Sequence, residues 1–271
     1  MPINVSALYI YPVKSLAGIE LKSSELDAMG LKHDRRWMLV SPDGNFLSQR
    51  KLPQMALIQP RFIQQQLVLA TANYPDLVVA KASTQQTMQV NIWKDSVTAQ
   101  CVGKEADEWL SKVLDTPCHL VYIPDNEIRQ CDPEFAKQGD HTGFSDGFPI
   151  LLISTASLAD LNQRLDQAVS MKRFRPNIVV DGCAAFAEDH WAEFSISEIT
   201  MRGVKLCSRC ILTTVDPATG QRSGVEPLQT LMRYRKQGSN IYFGQNVIHN
   251  TIGNIRVGDS VVIDVVSTLD T

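Results

Sequence analysis

The chain has 271 residues, 44% of them hydrophobic, with a formal net charge of −3. That is enough length and apolar content for two modest domains or one large β-rich one. The slight acidity argues against a general nucleic-acid binder, so any anion site must come from a local gathering of cations.

Val5 to Tyr11 alternates apolar and mixed residues as a strand does, and Pro12 ends it. Lys14 and Ser15 follow in a turn, where a lysine by itself reads as a solvated side chain. Ile19 to Leu26 reads as a second strand. Asp34-Arg35-Arg36-Trp37-Met38-Leu39-Val40 begins polar and becomes a buried strand. Adjacent arginines on a strand point to opposite faces, so one of this pair is expected to face a given pocket. Pro42-Asp43-Gly44-Asn45 is a turn, with Phe46 to Arg50 as the returning strand and Arg50 as a further pocket cation. Met55 to Ile63, Gln66 to Ala70, Leu77 to Ala80, Met88 to Trp93 and Ser96 to Cys101 read as short strands. Their density suggests a barrel or sandwich. Ala106, Trp109, Leu110, Val113 and Leu114 then recur at helical spacing. Pro117 stops that helix, and Cys118 to Ile123 returns to strand.

Asp125 to Asp140 is polar and turn-rich, and a domain junction is expected there, dividing the chain into 1–124 and 125–271. His141 to Pro149 is a glycine-containing loop before the apolar strand Ile150 to Ile153. Gly147 in that loop permits close backbone approach to a ligand, while His141 reads as a surface residue. Hydroxyls at Ser154, Thr155 and Ser157 ahead of a Leu-rich run are helix N-cap chemistry. Lys172-Arg173-Phe174-Arg175-Pro176-Asn177 leads into the strand Ile178-Val179-Val180, and its cations are either a solvated face or an anion clamp. Glu188-Asp189-His190-Trp191 reads as a loop acid cluster ahead of a strand. Ile199 to Leu206 is a strand, Thr219 to Gly224 a loop that borders a substrate entrance, and Pro227 to Tyr234 a short helix with Pro in its first turn. Ile241 to Phe243, Val247-Ile248 and Val261 to Val266 are the last strands.

The cysteines set the expected compartment. Six at irregular spacing do not read as a disulfide framework. Met-Pro-Ile-Asn-Val carries neither a basic n-region nor a long apolar run, and no run of about 18 apolar residues is present. A reducing, cytoplasmic setting without membrane contact is expected.

Cys207-Ser208-Arg209-Cys210 spaces two thiols three residues apart with a cation between them. The thiolate is the form that binds soft metals, and a nearby cation favours it. A zinc site ordinarily needs a second such pair, and Cys101, Cys118, Cys131 and Cys183 are singletons. A thioredoxin-type redox pair should open a helix, whereas Ile211 to Val215 reads as a strand. Two packed core thiols are the plain alternative.

Cys207 to Gly220, reading Cys-Ser-Arg-Cys-Ile-Leu-Thr-Thr-Val-Asp-Pro-Ala-Thr-Gly, resembles the signature of the MOSC-domain family. More closely it is similar to the mitochondrial amidoxime reducing component and its bacterial YcbX-like relatives. Tyr11-Pro12-Val13-Lys14-Ser15, Asp34-Arg35-Arg36-Trp37, Phe174-Arg175-Pro176-Asn177 and Phe243-Gly244-Gln245-Asn246 match in the family's order over nearly the whole chain. The resemblance implies a mainly β (α+β) fold: an N-terminal β-barrel-like domain packed on a MOSC β-barrel with a few short helices. It implies a pocket between the halves that holds a molybdenum cofactor, with Cys210 as the metal ligand. Lys14, Ser15, Arg35 and Arg175 match residues on the cofactor phosphate, Asn177 one on the pterin edge, and Ser208 a further contact. Gly147 and Phe148 line the pterin pocket; the family often has a small hydroxylated residue where Gly147 stands, so only backbone contacts are expected there. Asp146 is our own choice for a proton relay.

The function so implied is reduction of N-hydroxylated compounds: hydroxylamines, amidoximes and N-hydroxylated bases. The chain shows no four-cysteine cluster for an iron–sulfur centre, so a separate electron-transfer protein is the expected partner. Two further readings stay open: a sulfur carrier with a persulfide on Cys210, and a non-catalytic cofactor-binding module.

Overall fold

Ile150–Ser154 is buried at every position and Ile178–Asp181 at all but its last. Strands that hydrophobic belong inside a layered sheet covered on both faces. In the computed structural model, which describes residues 2–82, 85–222 and 224–267, they pair in parallel with Leu152 opposite Ile178. The helix Thr155–Gln163 makes the crossover that a parallel pair requires. Its N-cap is Ser154, whose hydroxyl accepts from Ser157 N at 3.0 Å, as the sequence suggested.

These two strands are the centre of a nine-stranded sheet. Its order is Val261–Val266, Trp191–Ile196, Ile199–Ser208, Asn240–His249, Ile150–Ser154, Ile178–Asp181, Asn4–Ile10 and Ile19–Leu21, with Lys236–Gln237 attached beside Asn240–His249. The first strand of the chain thus lies deep in the sheet, antiparallel to Ile178–Asp181, with Leu8 opposite Ile178. A four-stranded sheet, Trp37–Val40, His119–Tyr122, Asp95–Cys101 and Thr87–Ile92, and two three-stranded sheets complete the β structure. Leu39, Met55, Ile58, Leu69, Leu110 and Leu120 form one buried cluster under the helix Lys104–Leu114. Leu8, Leu152, Phe194, Met201 and Val247 form another on the large sheet. The fold is mainly β with few helices, as expected.

Several elements differ from the sequence reading. Ile19 to Leu26 divides at Lys22 into Ile19–Leu21 and Ser23–Asp27, which join different sheets. Phe46 to Arg50 is no strand beyond a bridge from Phe46 to Val40. The amides of Lys51 and Leu52 instead fold back on Ser48 O, and Gln49 Nε2 donates to Ser15 O at 2.7 Å. Met55 to Leu57 belongs to the 3-10 turn Pro53–Leu57, with proline at the position where its missing N–H costs nothing. Ile211–Thr214, read as strand from its β-branched residues, is also a 3-10 turn. Thr213 Oγ1 donates to Cys210 O and Thr214 Oγ1 to Ile211 O; threonine hydroxyls bonded three residues back offer the backbone an alternative to a ladder. Glu188 and Asp189 lie not in an open loop but in the buried 3-10 turn Ala187–His190. Glu188 accepts from Ser154 N and Ser157 Oγ, and Asp189 from Arg235. Of the loop Thr219 to Gly224, Ser223 lies outside the described residues.

Candidate functional site

Asp34, buried at the start of the strand Trp37–Val40, organises one end of the site. Its carboxylate accepts from Tyr11 N at 2.7 Å and from Arg35 Nη1; burial pushes this carboxyl up against the opposing pull of Arg35. Asn177, buried at the edge of Ile178–Asp181, braces the same arginine. Its Oδ1 accepts from Arg35 Nη1 at 2.9 Å and Leu151 N at 3.1 Å, and its Nδ2 donates to Tyr9 O at 3.2 Å. Arg175 Nη1 donates to Leu16 O at 2.6 Å. The guanidinium carbons of Arg175 and Arg35 lie 4.1 and 4.4 Å from the centre of the buried Tyr11 ring, a cation–π pairing with one shared ring.

Ser15, Arg35 and Arg175 all have left-handed backbone, with φ of 67°, 46° and 57°. Each such non-glycine residue costs about 1–3 kcal/mol and persists only where its surroundings enforce it. Here the enforcing contacts include Arg35 N to Tyr11 O, Phe144 N to Arg35 O and Arg175 N to Lys172 O. Arg36 leaves in another direction, to Tyr122 and Asp125, so the choice of Arg35 over its neighbour agrees with the geometry.

Lys14 is buried, its Nζ donating to Phe144 O at 2.9 Å and to Asp146 Oδ1 at 2.6 Å. Burial brings this lysine down to about 8; Asp146 opposes the shift, while Arg129 and Arg35 add to it. The surrounding walls push Asp146 the other way, but Lys14, Trp93 Nε1 and Arg50 outweigh them and hold its carboxyl well below the usual range.

The thiols arrive from the opposite side. Ile199–Ser208 carries Cys207 and Ser208 to its end. Arg209 then anchors the chain, with its N on Ile241 O at 2.7 Å, its Nε on Phe243 O at 2.8 Å and its Nη1 on Phe174 O at 3.0 Å. Cys207 packs half-buried on the Phe174–Phe243 cluster, and burial raises its thiol against the pull of Arg209. Cys210 emerges exposed at the head of the 3-10 turn.

All ten residues singled out from the sequence line one cleft of about 830 Å³: Lys14, Ser15, Arg35, Asp146, Gly147, Phe148, Arg175, Asn177, Ser208 and Cys210. Arg50, Arg173 and Arg209 line it too. Arg50 and Arg173 stood in view as possible cations. Arg209 was seen only as an influence on the neighbouring thiols, although its place between them was the available signal. Arg50 Nε, Arg173 Nε and Arg209 Nη2 are buried without a hydrogen-bond partner. Six cations line the cleft; Lys14, Arg35 and Arg173 are paired with Asp146, Asp34 and Asp216, which leaves an excess of positive charge, and the exposed thiol adds a soft donor. His141 stays outside this lining, bridged to Gln130.

Residues 2–117 match the MOSC N-terminal beta barrel domain and residues 139–262 match the MOSC domain. The chain is 36% identical to mitochondrial amidoxime-reducing component 1 of Mus musculus over 277 residues, which is 95% of this chain and 81% of that protein. The Homo sapiens component 1 is also 36% identical, over 95% of this chain and 82% of the relative. Component 2 of Bos taurus is 34% identical over the same shares. The word mitochondrial in these names overturns the cytoplasmic expectation: free thiols report a reducing environment and not which compartment supplies it. Among the described residues no helix is long and apolar enough to cross a membrane. With both domain matches in order and a third of its residues shared along nearly its full length, the chain belongs to the MOSC-domain family that includes the amidoxime-reducing components.

Proposed function

We propose that this chain holds a molybdenum cofactor in the cleft and reduces N-hydroxylated compounds (hydroxylamines, amidoximes, N-hydroxylated bases) with electrons from a separate donor protein. The observation that carries this reading is the meeting of cations from both halves of the chain around one exposed thiol, with three buried guanidinium N–H groups still lacking an acceptor. A phosphate-bearing pterin that grips a soft metal has the charge and donor preferences this set calls for.

In this proposal Lys14, Ser15, Arg35 and Arg175 hold the phosphate, Cys210 ligates the metal, and Ser208, Gly147 and Phe148 shape the wall. Bound there, the cofactor supplies the two-electron chemistry. Asn177 has both amide atoms engaged by protein groups, so its part is to fix Arg35. Asp146 is held ionised by Lys14, and a carboxyl held so low takes up a proton poorly, so its part is to position Lys14; the neighbour nearer neutrality, able to hold and release a proton, is Lys14 at Nζ. Of the six cysteines, only Cys207 and Cys210 line the cleft, which supports an external electron donor. We also propose the division into 1–124 and 125–271; the interval between the two domain matches supports it.

Freshly purified protein should contain about one molybdenum and one fluorescent pterin per chain and should turn over a hydroxylamine with an artificial reductant. Activity with a pyridine nucleotide alone would remove the separate donor. The exposed Cys210 also suits a persulfide carrier: sulfide released by a thiol reductant, from protein free of pterin and metal, would favour that reading instead.

A further inference from the structure

Trp93 occupies an unusual place. It is the first of two residues that turn the strand Thr87–Ile92 into Asp95–Cys101, where Ile92 pairs with Asp95. Its φ is +56°. A positive φ at the first central position of a two-residue hairpin turn is ordinarily given to glycine. A tryptophan there carries backbone strain as well as a large exposed apolar surface: the residue is 48% exposed.

The surroundings hold that indole in a fixed pose. The Arg50 guanidinium carbon lies 4.1 Å from its ring centre, and the Phe46 ring lies 5.2 Å away. Its Nε1 donates to Asp146 Oδ1 at 3.1 Å, the same oxygen that receives Lys14. Trp93 is thereby tied to the rim of the cleft by a group that belongs to the cleft.

Beside the cleft runs a wide, open groove of about 1640 Å³, with Trp93 and Phe148 in its walls and Asp146 and Gly147 shared between the two. Apart from its chain neighbours, nothing lies within 4 Å of where a side chain on Gly147 would begin, so the shared wall is open there. The groove reaches Ser208 and Cys207, on the approach to the exposed thiol.

We infer that Trp93, backed by Arg50 and pinned by Asp146, is a stacking platform that makes this protein select flat, conjugated N-hydroxylated substrates over saturated ones. An aromatic ring gains from a fixed aromatic face beyond the area it buries. The pose is pre-organised, so little side-chain freedom is lost on binding. The inference rests on the proposed reductase reading for its substrate class.

The test compares benzamidoxime with cyclohexanecarboxamidoxime, which share the reacting group and differ in flatness. With an artificial reductant, the ratio of their kcat/KM values should fall about tenfold in Trp93→Leu and should be largely retained in Trp93→Phe. Using the ratio cancels any change in cofactor loading. A ratio unchanged in Trp93→Leu, whatever the absolute rates, overturns the platform. A second measurement covers an inactive or poorly folding variant. In the wild-type protein, benzamidoxime should shift the Trp93 indole N–H resonance, assigned by comparison with Trp93→Phe, at concentrations where the cyclohexane compound does not. Equal shifts from both compounds, or none from either, overturn it as well. Absence of turnover in the wild type alongside a selective shift would sink the reductase reading and leave the platform standing.

Discussion

The cleft has two ends built on different principles. At the inner end Arg35, Arg175 and Asn177 are held by buried partners, and two of the three carry strained backbone. At the rim Cys210 is exposed, and Asp146, with a side chain 70% exposed, is held by Lys14 and Trp93. The inner end is therefore part of the folding core and the rim is not. Substitutions at the two ends should separate stability from function.

The largest effect is expected at the rim. Cys210→Ala should abolish hydroxylamine turnover and lower the molybdenum content measured by elemental analysis, while urea unfolding of the cofactor-free protein shifts by less than about 0.5 kcal/mol. At the inner end the order reverses. Asn177→Ala strands Leu151 N, Tyr9 O and one hydrogen of Arg35 in a buried site, and should cost about 2–4 kcal/mol of unfolding free energy. An unfolding midpoint equal to wild type would show that the inner end is not preloaded by its own contacts. Gly143→Ala probes the same end through the backbone: the new Cβ would lie 2.8 Å from Arg35 O, so a loss of about 1–3 kcal/mol is expected.

Lys14 joins the two ends and should respond to pH. Burial depresses it to about 8, so the charged form that binds anions is present below that pH and is lost above it. Binding of a phosphate monoester to cofactor-free protein, followed by calorimetry, should weaken about tenfold from pH 7 to 9. Lys14→Arg should remove that dependence; a flat wild-type profile would place the anion elsewhere. The smallest effect belongs to Gly147→Ala, where the added methyl meets open space. Its unfolding free energy should stay within about 0.5 kcal/mol of wild type, against the larger loss at Gly143.

What was legible in the sequence follows the same division. Residues of the cleft were picked out because they sit in motifs that resemble the family's; residue chemistry by itself left Lys14 a solvated side chain and the two thiols packed core groups. Arg209 escaped because its role depends on carbonyls of Phe174 and Phe243, more than 30 residues away in either direction. The strand forecast for Ile211 to Val215 failed for a local reason, since Thr213 and Thr214 spend their hydroxyls on backbone oxygens three residues earlier. Ile150–Ser154 and Ile178–Asp181 were clear because continuous apolar runs admit few alternatives. Their parallel pairing, and the insertion of Asn4–Ile10 beside them, left no mark in composition.

That insertion governs how the molecule comes into being. Asn4–Ile10 has a near neighbour in Ile19–Leu21, but its other edge is filled only by Ile178–Asp181, so some of the earliest residues to leave the ribosome must wait for later ones. Contacts that distant along a chain slow the search for the native state. Arg35 cannot take up its station before Asn177 and Arg175 exist to receive it, nor Lys14 before Phe144 and Asp146. A nascent chain therefore has no assembled cleft until the residues around Cys210 and Asn246 have been made as well.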